Sequence, residues 1–227
     1  MSDSRRGVLF DIDGTLVDTS YLHTLAWWQA LRDAGHDVAM REIHRAIGMG
    51  SDKLLPHLIG TEDPDISTGH DHHYAPHLER LVAFDGAAEL VRACKRAGLS
   101  VVLATSAKDW QLDRLRRAIG ADDAVDAVTS ASDVEDSKPA PDIVRTALRA
   151  GGLAADAAVM VGDTKWDVEA AGRAGTPCVT MLTGGWSEPE LRDAGAVEVW
   201  AGPRDLLEHF DDSALGRLAA QGSSSRR

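Results

Sequence analysis

The stretch FDIDGTLVD, residues 10–18, overlaps a short apolar run, GVLF (7–10), and places three aspartates within eight residues. Carboxylates beside a hydrophobic strand cost free energy unless something offsets them. Residues i and i+2 of a strand point to one side, so Asp11 and Asp13 at a strand end face a common site. Two like charges there repel and drive one group to protonate, unless a cation or a shared proton relieves them. Gly14 and Thr15 allow a sharp turn whose backbone N–H groups can aim at an anion. Taken alone, the stretch reads better as an Asp-Gly turn that caps the next helix.

The rest of the chain decides between these readings. Apolar runs recur at SVVLAT (100–105), DAVTS (126–130), AAVMVGD (157–163) and PCVTML (177–182). Near-continuous apolar runs suit strands buried on both faces of a parallel sheet. Helical patterns lie between them and stop at Gly98, Gly120, Gly151 and Gly152, Gly175 and Gly195; Ser187 and Glu190 have capping-box spacing. The alternation predicts an α/β fold, a doubly wound, Rossmann-like parallel sheet. Residues 19–83 break the rhythm with helical patterns and no strand. In SYLHTLAWWQALRDAG, Tyr21, Leu25, Trp28 and Leu31 form one stripe, and His23, Trp27 and Ala30 another. The expected organisation is a core of 1–18 and 84–213, a small inserted helical cap of 19–83 over the carboxyl edge of the sheet, and a disordered tail, 214–227.

Four strand ends carry chemistry. The first bears Asp11 and Asp13, and the second Thr105 and Ser106, two hydroxyls suited to phosphate oxygens. DSKPAPD holds Lys138 ahead of two prolines. VMVGDTKWD bears Asp163 and, one helical turn on, Asp167. Each has a bland reading as a cap, a surface lysine or a dipole-compensating acid. Together they converge on one sheet edge, where a hard cation on carboxylates, a lysine and two hydroxyls suit a phosphoryl group.

DIDGTL, Thr105, Lys138 and GDTKWD, in this order, resemble the four motifs of the haloacid dehalogenase superfamily in its phosphatase branch, from residue 7 to about 210. The insert resembles that family's C1-type cap. The resemblance implies a Mg²⁺-dependent phosphohydrolase. Asp11 is then the nucleophile that forms an aspartyl-phosphate. Asp13 is the general acid and base, Thr105 holds a phosphate oxygen, and Lys138 pairs with Asp11 and the phosphoryl group. Mg²⁺ is taken by Asp11, the backbone carbonyl of Asp13, Asp163 and, directly or through water, Asp167. Gly14, Thr15 and Ser106 are expected at the phosphate, and His23, Trp27 and Lys53 at the substrate from the cap. The implied substrate is a small phosphorylated metabolite, a sugar phosphate or phosphoglycolate.

A β-phosphoglucomutase-like phosphotransferase is the main alternative, because His23, Trp27 and Thr19 suit it. The mutases usually read Glu-Asp where this chain has Gly162-Asp163. A phosphonatase using Lys53 is disfavoured by Asp13, and a dehalogenase by Asp13 and Lys138. A non-enzymatic nucleotide module lacks support, since neither G-x-G-x-x-G nor a P-loop is present. His70, His72, His73 and His77 complete no zinc pattern and read as a solvated cap surface. A net charge of -12 argues against nucleic acid or an anionic membrane as partner. Two separated cysteines, Cys94 and Cys178, and no secretory h-region point to reduced thiols in the cytoplasm. Monomer and dimer both stay open.

Overall fold

The computed structural model describes residues 5–224. In chain order the elements are β1 (Gly7–Phe10), α1 (Ser20–Asp33), α2 (Met40–Ala46), α3 (Ser51–Ile59), α4 (Pro64–Tyr74), α5 (Ala87–Arg96), β2 (Ser100–Ala104), α6 (Asp109–Ile119), β3 (Ala127–Thr129), α7 (Asp142–Gly151), β4 (Ala158–Gly162), α8 (Lys165–Ala174), β5 (Cys178–Met181), α9 (Glu188–Asp193), β6 (Glu198–Trp200), α10 (Pro203–Glu208) and α11 (Ala214–Ser224). The strands form one parallel sheet in the order β3-β2-β1-β4-β5-β6. β1 therefore lies at the switch point, with β2 on one side and β4 on the other, where open α/β sheets place their ligands.

Alternation along the strands builds two cores. Val8, Phe10, Val159 and Val161 face the helices α5, α6, α10 and α11 through Leu90, Leu115, Leu206 and Leu215. Leu9, Ala158 and Met160 face α7, α8 and α9 through Val144, Val168 and Leu191. The expected strands are present, and β6 adds a sixth. Three residues, Glu-Val-Trp, are too short for any periodicity to announce it.

The first helices lie together between β1 and α5. Trp27, Leu31, Ile43, Leu54, Leu55 and Ile66 pack into a hydrophobic cluster of their own. α4 starts where Asp63 accepts the N–H groups of Asp65 at 2.9 Å and Ile66 at 3.3 Å, with Pro64 at its first position. The stripe through Tyr21 does not set the buried face of α1: Tyr21 is 64% exposed and Leu25 and Trp28 are half-buried, so that of this stripe Leu31 alone is buried, whereas Trp27 and Ala30 of the other stripe are both buried. The chain leaves and re-enters the sheet through one clasp. The Asp18 N–H donates to Val82 O at 2.9 Å, the Phe84 N–H to Leu16 O at 3.0 Å, and Val17 and Ala83 form an antiparallel bridge. Asp18 itself is exposed at this crossing.

The C-terminal expectation is corrected. Ala214–Ser224 is helix α11, and Leu215 and Leu218 are buried against the core. The serine-rich end hid an apolar pair at i and i+3 that the sheet recruits. Residues 225–227 of the expected tail lie outside the described residues. Leu215 is fully buried, so Leu215→Ala is expected to cost about 2–5 kcal/mol. Urea-induced unfolding of the purified variant checks this; an unchanged midpoint would show that α11 adds nothing to the core.

Candidate active site

β1 hands Asp11 to the sheet edge. The Asp11 N–H continues the ladder by donating to Val161 O at 2.9 Å, and the residue is 4% exposed. β4 ends at Gly162 and delivers Asp163; α8 then supplies Asp167. Carboxylate oxygens of Asp11, Asp163 and Asp167 lie within 4.8 Å of one another. Lys138, 1% exposed, comes from the loop between β3 and α7. Its Nζ donates to Asp11 Oδ1 at 2.8 Å and pairs with Asp167 Oδ1 at 2.6 Å. An ammonium has three donors, so one remains for a ligand.

Asp167 is heavily committed. Besides Lys138, its Oδ2 accepts from Thr164 Oγ1 at 2.6 Å, Thr164 N at 3.0 Å and Asp163 N at 3.3 Å, which also caps α8. Asp163 differs. Thr15 Oγ1 donates to its Oδ1 at 2.8 Å, while its Oδ2 is buried with no hydrogen-bond partner. Two glycines leave that oxygen room. A Cβ on Gly14, whose φ is +80°, would sit 2.2 Å from Asp163 Oδ2, and one on Gly184 2.3 Å from it.

The electrostatics follow from this crowding. Burial, with Asp167 and Asp13 adding to it against the pull of Lys138, pushes Asp11 from an ordinary 3.8 up to about 7. Burial together with Asp167 and Asp11 raises Asp163 well above the carboxylate range. Lys138 is raised despite its burial, because Asp11 and Asp167 hold its proton. An unpartnered buried carboxylate oxygen beside two more carboxylates has the hard-oxygen chemistry of a divalent cation site, so these residues fit Mg²⁺.

Asp13 points elsewhere. Its Oδ1 accepts from Thr19 Oγ1 at 2.8 Å and lies 3.3 Å from His23 Nε2; its Oδ2 accepts from Thr105 Oγ1 at 3.4 Å. Burial opposes ionisation here, but His23, Thr19 and Lys138 outweigh it and hold Asp13 below the usual range. His23 Nδ1 shares a hydrogen bond with His70 Nε2 at 3.1 Å, and His70 Nδ1 lies 3.4 Å from Asp71 Oδ1. His70 is 6% exposed and stacks on Trp27 at 4.2 Å between ring centres. Burial drives it down to about 4, so its ring is neutral. This corrects the solvated-surface reading for His70. Histidine at this place gave no sign in the sequence of facing inward, whereas His73 does pair on the outside with Asp33, at 2.7 Å.

A cavity of about 200 Å³ opens over these groups, lined by Asp11, Asp13, Lys138 and Ser106, by residues of the helical insert, and by core residues such as Lys108 and Glu135. Several expected contacts are redistributed. The Thr15 hydroxyl serves Asp163 and Gly14 packs against Asp163, and neither lines the cavity. The Thr105 hydroxyl accepts from Ala107 N at 3.0 Å besides its bond to Asp13, whereas Ser106 Oγ lines the cavity side and is buried without a partner. His23 and Trp27 line the cavity. Lys53 does not; it is held outside by Asp136 at 2.7 Å and Asp52 at 3.4 Å. The insert closes on the core at Ser137, whose hydroxyl donates to Asp52 Oδ1 and accepts from Gly50 N at 3.2 Å. His70, Asp71, Lys108 and Ser137 reach the site although no motif pointed to them, and Thr19, named in the sequence only with the phosphotransferase alternative, bonds Asp13.

Comparisons with known proteins agree with this arrangement. Residues 8–181 match the family described as haloacid dehalogenase-like hydrolase. The chain is 32% identical to "Protein CbbY" of Cereibacter sphaeroides over 93% of this chain and 94% of that protein. It is 29% identical to "Phosphoglycolate phosphatase" of Rhodospirillum rubrum over 86% of each. It is also 29% identical to "Protein SUPPRESSOR OF QUENCHING 1, chloroplastic" of Arabidopsis thaliana over 97% of this chain, but spans only 21% of that protein. Among solved structures, a hydrolase from Pseudomonas syringae superposes with a TM-score of 0.86 at 31% identity, covering 92% of this chain and all of that one. With the buried triad, its lysine and the switch-point location already in place, the chain belongs to the haloacid dehalogenase-like hydrolases and is an enzyme of the phosphatase type.

Proposed function

We propose that the enzyme hydrolyses a small phosphate monoester, of the sugar phosphate or phosphoglycolate type, through a phosphoryl group carried on Asp11 with Mg²⁺ as cofactor. One observation carries the reading: Asp11 is held by Lys138 at 2.8 Å beside a carboxylate, Asp163, whose Oδ2 is buried without a partner. Asp11, Asp163 and the backbone carbonyl of Asp13 would hold the ion, and Asp167 orients Lys138. When bound, the cation supplies positive charge that keeps Asp11 ionised and draws off charge from the transferring oxygens.

The chain's own groups do the rest. Asp11 Oδ attacks phosphorus, and the P–O bond to the leaving alcohol breaks. The arriving phosphate dianion raises the pKa of Asp13, which takes up a proton from water before the step and gives it to that alkoxide. Water then attacks the phosphoryl group and loses its proton to Asp13, which frees Asp11 and inorganic phosphate. Ser106 and the third Lys138 proton take the phosphate oxygens. Trp27 and the loop at residues 47–50 close over the site and limit water. The phosphotransferase alternative is disfavoured by Gly162, where a Cβ would lie 2.5 Å from Asp167 Cβ, leaving no space for the glutamate of that pattern.

The test is phosphate release from a panel of phosphorylated metabolites with Mg²⁺ and with a chelator. Release that is independent of Mg²⁺ would sink the cofactor assignment. A pH signature accompanies it. Asp11 and Asp163 have folded pKa values raised above 3.8, so the stability of the metal-free protein contributed by their protonation is present below about pH 4 and lost as pH rises toward about 7. The cation replaces those protons. The rise in Tm on adding Mg²⁺ is therefore expected to grow across this window, by about 1.4 kcal/mol of stability per pH unit for each proton displaced. Thermal melts with Mg²⁺ and with chelator at each pH check this; a rise that shrinks with pH would count against the site.

A further inference from the structure

Resting on the phosphatase reading, we infer that the leaving group is a neutral polyhydroxylated alcohol, and that esters carrying a second phosphate or a carboxylate there are rejected. Apart from Asp11, Asp13 and Lys138, the cavity lining has four charged side chains among the described residues: Asp52, Asp71, Glu135 and Lys108. The one cation is spoken for, because Lys108 Nζ donates to Asp71 Oδ2 at 2.6 Å. Asp71 remains ionised beside it, held below the usual carboxylate range by the bonds from His70 and Lys108 against its own burial. Lys53 lies outside the lining, where Asp136 takes its charge at 2.7 Å. No arginine lines the cavity among the described residues.

A second anionic group needs an unpaired cation or a fork of donors, and beyond Lys138 this lining offers a surplus of negative charge instead. It is well furnished for hydroxyls. Carboxylates accept from O–H groups, Ser51 and Ser67 can donate or accept, and Trp27, Met49 and Val134 give apolar walls for a carbon skeleton. The volume, about 200 Å³, limits the whole ester to a small molecule.

The experiment is a kinetic comparison with Mg²⁺ at fixed ionic strength, using matched pairs: an aldose monophosphate against the same aldose bisphosphate, and glycerol phosphate against phosphoglycolate. Acetyl phosphate and p-nitrophenyl phosphate report phosphatase chemistry independently of the pairs. The expected result is kcat/KM at least about tenfold higher for the member of each pair with the uncharged leaving group. Asp71→Asn frees Lys108 and is expected to narrow that ratio by about threefold or more, through a gain on phosphoglycolate. Turnover of the reporters with equal or reversed preference overturns the inference and leaves the phosphatase reading standing. An unmoved ratio in folded Asp71→Asn overturns the part assigned to the Lys108 pair. Mg²⁺-dependent turnover of nothing in the set overturns both.

Discussion

Asp11→Asn is expected to lower kcat by at least about 10⁴-fold while leaving the chain folded, because an amide cannot attack phosphorus or leave as a carboxylate. The structural cost is small for a reason visible in the site. Lys138 keeps its second partner, Asp167, at 2.6 Å, and the substitution removes a carboxylate that burial already pushes up to about 7. Without metal, the variant is expected to melt no lower than the parent. Rapid quenching after mixing with a radiolabelled ester should leave label on the parent protein and none on the variant. Appreciable turnover by folded, pure Asp11→Asn would remove Asp11 from the nucleophile's role.

Lys138→Met reverses the balance between activity and stability. Lys138 is 1% exposed and sits between Asp11 and Asp167, with Asp163 alongside. Removing the one buried cation of this cluster leaves carboxylates without compensation, which costs about 3–5 kcal/mol. Activity should fall with it, by roughly 10³-fold or more, since a donor to the transferring oxygens is lost. Adding Asp11→Asn to Lys138→Met is expected to return part of the stability, because one of the stranded charges is gone. Chemical denaturation of the two single variants and the double variant measures this coupling. Strict additivity would mean that the lysine and the aspartate do not stabilise each other.

Much of this was legible in the sequence because it was written locally. Apolar runs mark five of the strands, glycines mark the helix ends, and an acid or lysine stands where several of those strands give out. Asp11, Lys138 and Asp163 could therefore be brought to one sheet edge by topology alone. What escaped the sequence depends on distance in the fold. Thr15 carries no sign that its partner is Asp163, 148 positions away, rather than a ligand. His70 lies in a polar helix beside His72 and His73, which face outward, and its inward setting is made by Trp27, His23 and Tyr74, which stack with it. Lys53 looks like a substrate contact until Asp136 is seen to hold it outside. Leu215 and Leu218 are a thin signal in a polar tail, and only the unfilled side of the sheet makes them core.

The clasp that joins Val17 to Ala83 has a kinetic consequence. β1 is the central strand, yet Gly7 pairs with Ser100 and with Ala158, so the sheet's middle depends on long-range ladders. Long loops are slow to close because their entropy is lost before any pairing rewards it. The insert shortens that search. α1 packs on α4, and once they meet, Leu16 and Phe84 are brought together and the polypeptide between them ceases to count as open loop. A segment that reads as an interruption of the sheet is thus expected to speed folding by delivering α5 and β2 to β1, and variants that loosen the packing of α1 on α4 should slow refolding more than they speed unfolding.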